Sequence, residues 1–365
     1  MQINNISPIY DYSFIVTSRN DNHGGNMIKK NQFFIDRWSY SVKKFNLKCE
    51  LIIVDWNSKT KLRKVLKIPK LNNNQNIRII TVPSFIHKKF ANSKKIKLHQ
   101  MIAKNVGAVR ALGEYLVLSN IDIIFSEKLL AKLKERKDKK TICRLDRYDV
   151  DINLNEMKNY KINEKILEKK ITTVFKKYYI HDVKKGRKYF TQRTFLGLCK
   201  YFIKIIINKK FLLNIKKYLM SKKVFNTNIK YAFTVLLTKK LHLNACGDFT
   251  MLSKDLFLKL NGYYEFEGYA LHVDSILLYK AHFNKYKIEN LKEKIYHINH
   301  SNGYVGYCDP DRFFLNLREK KIPYIDTNKL IKIIYSLKKN PKFLNNIKYG
   351  LSNFKLKEFN SNLSR

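Results

Sequence analysis

The chain has 365 residues, enough for two domains or one enlarged one at roughly 150 residues per domain. Hydrophobic residues make up 45% and aromatics 13%, so a sizeable core can form and wholesale disorder is excluded. With 73 Lys+Arg against 29 Asp+Glu the net charge is +44; such a field draws nucleic acid, anionic lipid or phosphorylated substrates without choosing among them, and solvated Lys, Asn and Ile from an AT-rich genome would give the same balance.

Along the chain, SFIVT (13–17) and ELIIV (50–54) are short β-branched runs, and MIKKNQFFIDRWSYSVKKF (27–45) between them carries apolar residues at helical spacing. Together they predict a β–α–β unit. IRIITV (77–82), ended by Pro83, is a third strand, a helix follows over about 96–112, and EYLVLS (114–119) is a fourth strand. Ser126 is placed to cap a helix over SEKLLAKLKERK (126–137), and TICRL (141–145) reads as another strand. This alternation predicts a mostly parallel α/β sheet with flanking helices.

After residue 150 the composition shifts. Residues 169–240 hold 20 Lys/Arg against one acid, Asp182, and their apolar spacing predicts basic amphipathic helices without strands. Sheet-like sequence resumes at NACGDFTMLS (244–253) and continues to about 308, while 311–365 is again Lys-rich and helical in pattern. The expected organisation is therefore 1–150, a basic helical insertion at 151–243, a returning α/β part at 244–308, and a basic helical tail at 309–365.

Cys49, Cys143, Cys199, Cys246 and Cys308 are odd in number, far apart and free of any Cys-x-x-Cys pair, which argues against a disulfide framework, a zinc site or a redox pair. The N-terminus, MQINNISPIYDYS, lacks the pattern of a signal peptide. The most apolar stretch, 195–214, is cut by Lys200, Lys204, Lys209 and Lys210, whereas a bilayer span needs about 20 mostly uncharged residues. A cytoplasmic protein is expected.

Ligands of an open parallel sheet bind beyond the carboxyl ends of its strands. Three polar clusters fall there: SRNDNHGG (18–25), Asp55-Trp56-Asn57, and Asn120-Ile121-Asp122. Each acid alone could cap a helix or turn; three at one sheet edge point to a site. There is no Gly-x-Gly-x-x-Gly, no P-loop and no Gly-x-Ser-x-Gly, so neither a dinucleotide fold, a P-loop nucleotidase nor an α/β-hydrolase is supported. A second polar region lies far along the chain, in 247–275 and in YHINHSNG (296–303).

The β–α–β start, strand–Asp55, strand–Asn-x-Asp and GDFTMLSKDLFLKLNGY (247–263) together resemble GT-A-fold glycosyltransferases of the family-2 type. The closer resemblance is to bacterial homologues carrying SRNDNHGGN, ELIIVDWN, QMIAKNVGAVRALGEYLVLSNIDIIFS and HVDS…IYHINHS, and it covers about 17–126 and 244–303. It implies a GT-A fold in which 1–150 binds a nucleotide-sugar and 244–308 carries the acceptor and catalytic half. Asp55 would contact the nucleotide base or ribose, and Thr17, Ser18 and Arg19 would surround the nucleotide. Asn120-Ile121-Asp122 takes the place of the family's Asp-x-Asp, which holds Mn2+ or Mg2+ on the donor diphosphate; with Asn first, that work falls to Asp122. His297 or His300 would complete the metal shell. Asp274 matches the region of the catalytic base of inverting enzymes, and Asp248 would bind donor or acceptor hydroxyls. Arg110 and Asn105 join the donor side, with Arg19 or Arg110 set against the departing diphosphate, whereas Gly107 reads as a helix-packing residue.

The function this implies is an inverting, hexosyltransferase-type enzyme building a surface glycan on a glycan or lipid-linked acceptor. The basic 169–240 stretch would then lie on an anionic membrane, making the protein peripheral on its inner face. A nucleic-acid-binding protein is the competing class, disfavoured because no reading motif accompanies the charge. A catalytically degenerate scaffold is the third, suggested by Asn120.

Overall fold

The computed structural model describes residues 8–21, 25–135, 138–191, 194, 234–299, 310–340, 345 and 348–363. The β–α–β start forms as predicted: β1 (Tyr10–Ser18), α1 (Met27–Lys44) and β2 (Cys49–Trp56) are followed by α2 (Leu62–Val65), β3 (Gln75–Val82), α3 (Ser84–His87), α4 (Gln100–Arg110) and β4 (Gly113–Ser119). The strands run parallel in the order β3-β2-β1-β4. Ile15, Ile52, Val54 and Ile80 are buried on one face with α4, while Phe14, Val16, Leu51 and Ile53 are buried on the other with Phe34, Ile35 and Trp38 of α1. Burial on both faces is why these strands read as continuous apolar runs. Gly107 is a packing residue: a Cβ there would stand 2.7 Å from Ile15 Cγ2 and 3.3 Å from Val54 Cγ2, so α4 lies directly on the sheet.

The chain continues through β5 (Ile123–Phe125), α5 (Glu127–Lys132) and β6 (Thr141–Val150). Ser126 caps α5, accepting from the Leu129 N–H. Within the stretch predicted to be helical, α6 (Glu164–Lys169) is followed by β7 (Ile171–Phe175), β8 (Tyr179–Asp182) and β9 (Arg187–Phe190), an antiparallel meander extending the sheet from β6. The strand preference of Thr172, Thr173, Val174 and Phe175 outweighs the apolar spacing, and Gly186, at φ +61°, supplies the turn. Residues 195–233 of the predicted insertion lie outside the described residues.

β10 (Phe249–Ser253) enters antiparallel between β4 and β6, followed by α7 (Lys254–Lys259) and α8 (Val273–Phe283). β11 (Lys287–Ile298) then pairs parallel with β6 and antiparallel with β5. The tail is helical as predicted in α9 (Pro310–Glu319) and α10 (Thr327–Lys339), but it ends in β12 (Lys357–Asn360), antiparallel to β3. Its anchor is electrostatic: Arg78, buried, pairs with Glu50 at 2.7 Å and with Glu358 at 2.5 Å. Among the described residues, no helix is long and apolar enough to cross a membrane.

Beneath the start of α4, His99 is 2% exposed and packs against Phe90, Trp56 and His87 with ring centroids 4.8, 6.0 and 5.7 Å away. Trp56 Nε1 donates to His87 Nδ1 at 3.0 Å, whereas neither ring nitrogen of His99 has a hydrogen-bond partner. Burial, with His87 adding to it, lowers the His99 value from 6.5 to about 4. Above pH 6.5 the ring is neutral in both folded and unfolded chains; below it the unfolded chain takes up a proton that the folded chain refuses. Stability should therefore fall between about pH 6.5 and 4, by about 2–3 kcal/mol from this group. In His99→Phe that part of the acid slope should vanish, which urea unfolding at a series of pH values measures; an unchanged slope would assign it to other groups.

Candidate active site

A cleft of about 1090 Å3 opens at the carboxyl ends of β1 and β4. Thr17, Ser18 and Arg19 reach it from the end of β1, and Asn120 and Asp122 from the turn after β4. Asp248 precedes β10, whose register sets Phe249 opposite Ser119, so the antiparallel pairing carries Asp248 across to Asn120. The Asn120 amide donates to Asp248 Oδ1 at 2.6 Å and its oxygen accepts from Gln100 at 2.8 Å. An acid at position 120 would set two carboxylates against each other; the amide removes that repulsion.

His297 lies at the end of β11, in register with Ile123 on one side and Asp149 on the other. The ring bridges two carboxylates, with Nδ1 3.1 Å from Asp149 Oδ1 and Nε2 3.4 Å from Asp122 Oδ2. Burial opposes its charge, but Asp122 and Asp149 outweigh burial and raise it to about 9. Asp149 is held below the usual carboxylate range: burial alone would raise it, but Arg147 and His297 prevail. Arg147 also donates to Asp248 Oδ2 at 2.7 Å and lies over the Phe175 ring at 3.9 Å.

Asp274 lies in the first turn of α8, just after His272 in the left-handed region at φ +64°. Its Oδ1 accepts from the Ser275 N–H at 2.8 Å, and a Cβ on Gly247 would stand 2.9 Å from Oδ2, so only glycine admits the carboxylate so close to that backbone. Behind this wall Lys104, fully buried, donates to the Gly247 carbonyl. Burial lowers its value to about 8, against the pull of Asp248, Asp274 and Asp122.

Three predicted donor residues are elsewhere. Asp55 is fully buried and its oxygens accept from the Ser58 hydroxyl and from the Leu62 N–H, so it caps α2 and does not line the cleft. Asn105 bonds both the N–H and the carbonyl of Tyr263 and reaches Glu265. Arg110 donates to the carbonyls of Gly350, Leu351 and Phe354, strapping the tail to α4. His300 lies outside the described residues.

Arg147, Asp149, Lys30 and Lys104 were not singled out by the sequence. For Arg147 and Asp149 a signal exists: two charged residues spaced by two on one strand share a face. Lys30, on α1, lines the cleft, and burial lowers its value despite Asp122.

Among the described residues, no group of three His, Cys, Asp or Glu side chains is gathered as a metal site. Asp122 Oδ2 and His297 Nε2, 3.4 Å apart, are a pair of donor atoms in the cleft that could hold a divalent cation. Asp149, 3.1 Å from Nδ1, fixes the orientation of the His297 ring, as a carboxylate would for an imidazole that ligates a metal.

No protein-family model matches the sequence, and no curated protein matches it. Among solved structures the chain is similar to the catalytic domain of Drosophila β1,4-galactosyltransferase 7 in complex with xylobiose, at 9% identity and a TM-score of 0.35, over 83% of this chain and 79% of that one. It is also similar to GalNAc-T7 with UDP, GalNAc and Mn2+, at 13% identity and a TM-score of 0.40, over 96% of this chain and 57% of that one. The described residues form a mixed α/β sheet with flanking helices.

Proposed function

We propose that the protein transfers a sugar from a nucleotide-sugar donor to a glycan or lipid-linked glycan acceptor, with inversion at the anomeric carbon. The single observation that carries this reading is the convergence, in one cleft, of the Asp122–His297 pair with Asp248 and Asp274, brought together from β4, β10, β11 and α8. Asp122 and His297 would hold Mn2+ or Mg2+, whose chemistry is to neutralise charge on the departing diphosphate. Lys30 and Arg19 line the same cleft and add positive charge for the phosphates. Asp248, kept in place by Asn120 and Arg147, is the acceptor for sugar hydroxyls.

Asp274 takes the proton of the acceptor hydroxyl. The acceptor oxygen forms its bond to the anomeric carbon while the bond from that carbon to the donor phosphate oxygen breaks, and the electron pair leaves on the nucleoside diphosphate. Attack from the face opposite the leaving group inverts the anomer, and NMR of the product reads that configuration; retention would remove Asp274 from this role.

The reading is tested by a thermal-shift screen of UDP-, GDP-, CDP- and dTDP-sugars with and without Mn2+. A donor bound at a hundred times its dissociation constant stabilises the fold by about 2.7 kcal/mol. One nucleotide should raise the melting temperature in a metal-dependent way, and Asp122→Ala should abolish that dependence. No shift with any donor would overturn the reading.

A further inference from the structure

We propose that the β8–β9 hairpin docks on an anionic lipid bilayer and sets the mouth of the cleft against that surface. Among the described residues β9 ends the sheet. The hairpin's turn, Val183–Lys188, is exposed throughout and carries Lys184, Lys185, Arg187 and Lys188, with Asp182 the one acid within β8 and β9. Apolar groups are exposed on the same hairpin: Tyr178 is 41% exposed, Val183 40% and Phe190 40%. Cations attract anionic headgroups, and aromatic rings settle at headgroup depth; a nucleic-acid backbone would use the cations but has no place for Val183. The ion pairs of Lys184 with Asp151, at 3.2 Å, and of Lys185 with Asp182, at 3.9 Å, join exposed lysines and restrain them little.

Position makes the hairpin more than a charged protrusion. Ile180 within β8 and Thr191 just after β9 line the cleft, so the element that carries the cations also walls the site. On the glycosyl-transfer reading, on which this clause alone rests, the acceptor is then a lipid-linked glycan presented at the bilayer.

A chain of charge +44 will adhere to any anionic surface to some degree, so the test compares two equal changes of charge. In Lys184→Glu/Lys185→Glu/Lys188→Glu the hairpin is reversed. In Lys64→Glu/Lys67→Glu/Lys70→Glu the same charge is reversed on exposed lysines at the other end of the sheet, where Arg63 lies over the Phe359 ring of β12 at 4.1 Å. Both are co-sedimented, without any donor, with vesicles of equal parts phosphatidylglycerol and phosphatidylethanolamine and with phosphatidylcholine alone; matching melting temperatures establish that each variant is folded. The hairpin variant should partition onto the anionic vesicles about 100-fold more weakly than wild type, and the control variant only a few-fold more weakly. Equal losses in the two variants, no loss in the hairpin variant, or duplex DNA binding through these lysines without vesicle binding would each overturn the proposal. Because no donor is present, this outcome and that of the nucleotide-sugar screen are independent.

Discussion

Asp274→Asn is expected to lower kcat by about 10²–10⁴ while leaving donor binding and the melting temperature nearly unchanged, the range typical of losing a positioned general base. Asparagine has the same shape, and its oxygen can still accept from the Ser275 N–H as Asp274 Oδ1 does at 2.8 Å. The contact with Gly247 is also kept, so the local backbone has no reason to move. What is lost is the ability to take a proton at the cleft wall. Steady-state kinetics beside the thermal shift of the donor complex would separate the two effects. A variant that keeps a tenth or more of kcat would move the base elsewhere.

Asn120→Asp restores the acid that the resemblance leads one to expect, and it should nevertheless harm the protein. The substitution removes the donor that Asp248 Oδ1 accepts at 2.6 Å and replaces it with a like charge. At such a distance two carboxylates cannot both remain ionised without cost. Loss of roughly tenfold in kcat/KM is expected, with a melting temperature lower by a few degrees. In Asn120→Asp/Asp248→Asn the pair again holds one amide and one carboxylate, so most of the lost thermal stability should return. Tighter Mn2+-dependent donor binding in Asn120→Asp would instead make position 120 a metal ligand and overturn the account of why asparagine stands there.

Much of the α/β frame was legible from the sequence. The β-branched runs at 13–17, 50–54, 77–82 and 114–119 became the four parallel strands, because strands buried on both faces must be apolar throughout. The stretch 171–190 differs from the helical expectation: Lys-rich sequence with scattered apolar residues satisfies a helical spacing, but Thr172 to Phe175 favour a pleated surface and Gly186 turns the chain back. Asp55 shows the limit for single acids, since a buried carboxylate after a strand serves equally as a ligand or as the cap of α2, and here its oxygens are taken by Ser58 and Leu62.

The sequence by itself determined the strand ends at which a cleft could form and the residue types available there: Ser18, Arg19, Asn120 and Asp122. Only the tertiary structure decided which distant residues meet them. Register does this physically: pairing of β10 with β4 sets Asp248 against Asn120, and pairing of β11 with β5 and β6 threads His297 between Asp122 and Asp149. Hydrophobic burial fixes which strands pair, but the alignment along each pair, on which every contact in the cleft depends, is settled by packing across the whole sheet.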